Sequence, residues 1–256
     1  MRDDFEVSGN SGPGGVRPPG PSAVDVPVPV ELADATRALF GDRQPLAAAY
    51  AELLAGDGVL RGLIGPRETP RLWDRHLLNC AAVAELIPAG RRVLDVGSGA
   101  GLPGLVLAIA RPDLSVVLIE PLARRTAFLT EAVETLGLTN SVTVVRARAE
   151  EYAAASSSPA PGGTARAAAP SDRLAGWCLP LAAVGGRLLA LKGSSAADEV
   201  VEHRDAVREL GGGSPVVHRC GRGLIDPPTI VVEIVRERAA GRQPSRRPRT
   251  GRPRRR

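Results

Sequence analysis

The chain has 256 residues, 43% of them apolar, which is enough to bury the core of one α/β domain plus a small extra module. No apolar run reaches the ~18 residues of a membrane span, and the opening "MRDDFEVSGN" lacks the apolar stretch of a secretory signal. A cytoplasmic protein with no membrane partner is therefore expected. The net charge of +5 comes from one end: residues 239–256 hold eight arginines and no acid, which leaves −3 on the rest. Cys80, Cys178 and Cys220 lie far apart and form no CxxC pair. They read as buried thiols in a reducing compartment, with no metal expected.

Residues 1–25 are rich in Gly, Pro and Ser and are expected to stay disordered. A helical module follows over 26–88. "ELADATRALF" and "PLAAAYAELLAG" space apolar residues three and four apart. "ETPRLWDRHLLNCAAVAELI" reads as a longer amphipathic helix, with Thr69 as N-cap, Pro70 in the first turn, and Leu72, Leu77, Cys80 and Val83 toward the core. Trp73 and Trp177 also read as core.

Over 89–238 the pattern alternates. "RRVLDVG", "SVVLIEP" and "SVTVVRA" are short apolar strands, separated by helices at "LPGLVLAIARP" and "LARRTAFLTEAVETLG". Strands alternating with helices indicate βαβ units and a doubly wound, mostly parallel sheet. "GRLLALKG", "SPVVHRC" and "TIVVEIVR" give three more strands, with a helix from about Ala196 to Leu210 after the first. No helix separates the last two, so an antiparallel pair, and an antiparallel last strand, is expected. Another parallel strand should fall between "SVTVVRA" and "GRLLALKG". The only candidate there is "GGTARAA", which has no β-branched run. Residues 239–256 are expected to be a disordered, Arg-rich tail, either solubilising or loosely attracted to a polyanion such as RNA.

The stretch "LDVGSGAGLPG" carries the chemistry. Gly99, Gly101 and Gly104 spell the GxGxxG of a dinucleotide loop, while Asp95, Gly97, Gly99 and Gly101 spell a DxGxGxG loop suited to S-adenosylmethionine (SAM). In open parallel sheets ligands bind beyond the carboxyl ends of the strands, where the strand order reverses, and this loop is placed there. Glu120 ends the second strand, where its carboxylate can accept both hydroxyls of a ribose. NAD and SAM share that ribose, so Glu120 does not separate them. Three features favour SAM. Asp95, inside the strand end, can orient the loop and help hold an ammonium group. After the third strand, the Ala149 amide and the Glu150 carboxylate can read an adenine edge. The closing strand pair without a helix also suits a methyltransferase sheet. A nicotinamide-dependent oxidoreductase and a non-catalytic RNA-binding module stay open as rivals.

"LIGPRETPRLWDRHLLNC", "VLDVGSGAGLPG", "RAEE", "TARAAAP", "WCLP" and "LALKGSS", in this order, resemble the bacterial 16S rRNA guanine-N7 methyltransferases, the glucose-inhibited division protein B family. The likeness spans about Val30 to Arg236. It implies a SAM-dependent methyltransferase fold with a helical extension, acting on N7 of a guanine in the 530 loop of small-subunit rRNA. It also implies SAM contacts at Gly97, Leu102, Ala149 and Glu150, and a place beside the cofactor for Arg166. Where that family carries an apolar strand, this chain has "SSSPAPGG".

Guanine N7 offers its lone pair without losing a proton, so this reading asks for alignment and not for an acid–base pair. No catalytic acid or base is expected; His76, the one tempting candidate, reads as a packing or RNA-contact residue. Arg166 and Lys192 are the candidate substrate-positioning groups. Lys192 is the only lysine among 33 basic residues, which suggests contact with a substrate phosphate or base. Arg67, Arg71 and Arg75 recur every four residues, either as a strip for rRNA phosphates or as a solvated face paired with Glu68 and Asp74. The expected partner is 16S rRNA in the small subunit or an assembly intermediate, met by a monomer. With 3% aromatic residues, a stacking platform for single strands is not expected.

Overall fold

The computed structural model describes residues 24–156, 160–165 and 170–239, the six residues 160–165 by their backbone. Most of the proposed N-terminal tail and nearly all of the Arg-rich tail lie outside the described residues.

Helices come first. Ala33–Phe40 (α1) and Gln44–Leu53 (α2) arise from the two three-and-four-spaced stretches. Pro66 to Leu86 is helical throughout but changes its winding: tight over Pro66–Arg71, wide over Leu72–Leu77, α-helical over Leu78–Ala82 (α3) and tight again over Val83–Leu86. Proline lacks the amide that an α-ladder needs, so the regular helix does not run through Pro70. This corrects the expected start: the turn begins at Pro66, Gly65 precedes it without a side-chain cap, and Thr69 caps nothing. Leu72, Leu77, Cys80 and Val83 are all buried as the periodicity requires.

The strands are Arg92–Val96 (β1), Ser115–Ile119 (β2), Val142–Val145 (β3), Ala160–Ala165 (β4), Ala182–Lys192 (β5), Val216–Cys220 (β6) and Thr229–Val235 (β7). They form one sheet of order β3-β2-β1-β4-β5-β7-β6. β1 to β5 pair in parallel, and β7 lies antiparallel between β5 and β6. The strand order reverses at β1. β4, "APGGTA", begins two residues before the weak candidate "GGTARAA" and shares its first four residues; it pairs with both β1 and β5, with an irregularity between Ala160 and Gly162. A ladder is built from main-chain groups, so a segment flanked by two strands on the same sheet can pair without the apolar residues that make a strand legible.

Gly104–Ala110 (α4) and Ala123–Thr135 (α5) cover one face of the sheet; Ala149–Ala155 (α6), Ser171–Cys178 (α7) and Ala196–Glu209 (α8) cover the other. Alternation along the strands divides the core accordingly. Val93, Val116 and Leu118 point into the first layer, and Leu94, Val96, Val117 and Ile119 into the second. Tyr50, Leu54, Leu72 and Trp73 of the N-terminal helices belong to the first layer together with Leu105, Leu107 and Ile109. Trp73 is buried edge-on against Phe40, and Trp177 is half-buried against the second layer.

Polar ties reinforce this shared core. Arg43 donates to the Ile109 carbonyl at 2.7 Å, and Arg111 donates to the carbonyls of Ala84 and Ile87 at 3.2 and 3.0 Å. The Thr229 hydroxyl at the start of β7 lies 2.8 Å from Asn79 Oδ1.

Candidate functional site

The loop from Gly97 to Gly104 leaves β1 at the point where the strand order reverses. Gly97, Gly99 and Gly101 have φ of +73°, +58° and +97°, a region that costs other residues about 1–2 kcal/mol. The four glycines do two different jobs. A Cβ on Gly97 would meet no atom within 4 Å, and Gly97 and Gly99 are the two accessible glycines of the loop. They present bare main chain outward. Gly101 and Gly104 face inward. A Cβ on Gly101 would come within 2.8 Å of the Tyr50 hydroxyl, and one on Gly104 within 2.7 Å of Asp95 Oδ2.

Buried carboxylates hold this backbone. Asp95, on β1, accepts the Gly104 amide at 3.2 Å, and Ser98 Oγ donates to the Asp95 carbonyl at 2.9 Å. Glu120, just past β2, is 1% exposed. Its Oε2 accepts the Gly99 amide at 3.0 Å and its Oε1 the Leu122 amide at 3.1 Å. A carboxylate has about four acceptor positions, so two amides do not exhaust it.

Ala149 and Glu150 open α6 beyond β3, the neighbour of β2, on the same sheet edge; Ala149 is buried and Glu150 exposed. The Leu102 side chain packs into the first core layer, so only its main chain can face a ligand. Arg166 lies outside the described residues. These features fit SAM: an open glycine backbone, a carboxylate with acceptor capacity at the ribose position and a helix start where adenine would lie.

Other candidates are placed differently. The Lys192 side chain is 4% exposed and its amino group lies 2.7 Å from Glu199 Oε2, and Glu199 also accepts from Ser171 and Ser195. Lys192 holds the Glu199 carboxyl below its ordinary range. The pair ties the carboxyl end of β5 to α8. His76 is buried, with Nε2 2.8 Å from Glu68, and that hydrogen bond lowers the Glu68 carboxyl. Arg75 bonds to Glu68 and Arg71 to Asp74, while Arg67, Arg71 and Arg75 are all exposed. The three cysteines are buried, and none forms a disulfide among the described residues. Burial, then the Asp95 charge, pushes Cys178 up to about 12, so no thiolate forms there at neutral pH.

Sequence reasoning missed two features. The first is Tyr50, discussed below. The second is a groove of about 710 Å³ around the loop between β6 and β7, lined by Arg219, Arg222, Leu224, Ile225, Pro227 and Ile230 among others. Ile230 pairs with Lys192, so this loop stands on the same carboxyl edge as the glycine loop. Nothing in the spacing of that segment indicated a groove.

A sheet that reverses order at β1, carries a glycine loop between two buried acids at that point and closes on an antiparallel pair without a helix defines a SAM-dependent methyltransferase. A solved structure from Methanococcus maripaludis, assigned to that class, superimposes with a TM-score of 0.50 over 70% of this chain and 90% of its own. At 12% identity that likeness concerns the fold alone. The family model for rRNA small subunit methyltransferase G (GidB) matches residues 43–225. The chain is 66% identical over 239 residues to ribosomal RNA small subunit methyltransferase G of Salinispora tropica, covering 91% of this chain and 99% of that protein. It is 56% identical to the protein of the same name from Thermobifida fusca, over 84% and 92% of the two chains. The chain belongs to the rRNA small subunit methyltransferase G family.

Proposed function

We propose that this protein methylates N7 of a guanine in the 530 loop of 16S rRNA, presented by the small subunit or an assembly intermediate. The observation that carries the reading is the Gly97–Gly104 backbone held between Asp95 and Glu120 in a chain of this family. SAM, when bound, supplies a methyl group already activated by its sulfonium, so neither the purine nor the protein has to move a proton. The residues accordingly bind and align. The main chain of Gly97, Gly99 and Leu102 would lie against the cofactor, with Gly101 shaping the turn behind it. Asp95 fixes the loop and helps hold the ammonium group. Glu120 takes the ribose, and Ala149 and Glu150 read the adenine. Lys192, committed to Glu199, serves by fixing the end of β5.

Nucleic acid needs exposed positive charge. Arg219 and Arg222 are exposed at the groove beyond β6, among apolar side chains that can lie against sugar and base. We assign the phosphates flanking the target to them. The paired Arg71 and Arg75 are the weaker candidates, because each already has an acid.

Labelled SAM with small subunits from a strain lacking the gene tests the reading, followed by borohydride–aniline cleavage at N7-methylguanine. One new cleavage in the 530 loop is expected. Label elsewhere, or none in the RNA, overturns it.

A further inference from the structure

A buried hydroxyl ties the N-terminal helices to the glycine loop. Tyr50, in the middle of α2, has no exposed surface, and its hydroxyl donates to the Ala100 carbonyl at 2.6 Å. This link spans fifty residues of sequence. Gly101, the next loop residue, has room for only a hydrogen where Tyr50 and Leu105 close in. Tyrosine is one of the rarer residues here, two in 256, and this one is wholly buried on a helix otherwise lined there by alanine and leucine.

We infer that Tyr50 is a positioning residue for the cofactor: it fixes the back of the glycine loop so that the front can close on SAM. This rests on the reading of Gly97–Gly104 as the SAM loop. Asp95 restrains the loop at Gly104 and Glu120 restrains it at Gly99. Ribose hydroxyls would draw on the same Glu120 carboxylate that holds the Gly99 amide. Tyr50 then holds the adjoining Ala100, and left-handed glycines on both sides of Ala100 give the backbone freedom to wander without it. A loop that samples other shapes binds with an affinity reduced by the fraction of time it is competent. The helical extension therefore takes part in cofactor binding and is not only a surface for RNA.

Tyr50→Phe keeps the ring and removes one oxygen. Its SAM dissociation constant and KM should rise roughly three- to tenfold, the range a single net hydrogen bond allows, with kcat at saturating SAM unchanged. Hydrogen exchange of the loop amides should quicken in the free protein. Leu54→Val, another buried position next to α2, serves as the packing control and should lower Tm while leaving SAM affinity unaltered. Wild-type SAM affinity in Tyr50→Phe, or an equal loss in Leu54→Val, overturns the inference. Gly99→Val separates the two readings. If it abolishes binding while Tyr50→Phe does not weaken it, the loop assignment stands and the role of Tyr50 falls. If Gly99→Val binds SAM normally, both fall.

Discussion

Two loops on one sheet edge solve different binding problems. The loop after β1 is held from below by Asp95, from the side by Glu120 and from behind by Tyr50, all buried. The loop between β6 and β7 presents Arg219, Arg222 and Leu224 to solvent. A small cofactor has one shape, and fixing the backbone in advance spares the ordering cost at binding. A folded RNA is recognised largely through its phosphates, and that contact needs charge in water more than a rigid frame. The cofactor loop should therefore respond to changes of backbone geometry, and the groove to changes of charge and salt.

The strongest way to break that contrast is at the cofactor loop. Gly99→Val puts a β-branched residue at φ +58°, and Asp95→Ala removes the acceptor of the Gly104 amide. Both should abolish SAM binding by calorimetry while circular dichroism stays close to wild type. Normal affinity in both would refute the loop assignment. A smaller effect is expected at the groove. The double variant Arg219→Glu/Arg222→Glu should weaken binding to small subunits roughly tenfold at low salt and flatten the salt dependence by about two phosphate contacts. Its SAM affinity should not change. An altered SAM affinity with intact subunit binding would reverse the roles of the two loops.

The smallest effect lies between them, at Lys192. Because Lys192 depresses the Glu199 carboxyl, their pair stabilises the fold above the unfolded value of about 4.5 and that contribution is lost as pH falls through the lower folded value. Glu199→Gln should lower Tm at neutral pH by about 2–4 °C, for a loss near 1 kcal/mol, and the gap should close in acid. Turnover should persist. A lost turnover with an unchanged Tm would return Lys192 to the substrate.

β1 and β2 were legible because each is a buried parallel strand written in valine, leucine and isoleucine, and β3 because its short valine-rich run keeps the β-branched signal even at the sheet edge. α8 falls within a residue of its expected span, and β6 and β7 pair as the missing helix between them required. β4 was nearly illegible, since its pairing uses main chain and "APGGTA" carries no strand signal. The start of the Pro66–Leu86 helical stretch was misplaced because capping rules apply to regular α-helices, and this one begins as a tighter turn. Glycine spacing marked the cofactor loop, but the inward and outward glycines look alike as letters.

The sequence by itself determined the alternation of strands and helices, the glycine loop with an acid at the end of each of the first two strands, and the bias of charge toward one end. These are local: periodicity, turn chemistry and composition act over a few residues. Tertiary structure decided which glycines face a ligand, that Lys192 is spent on Glu199 and that Tyr50 reaches Ala100. Each of those depends on which distant segment fills the space beside a residue, and that is set only when the two faces of the sheet are packed.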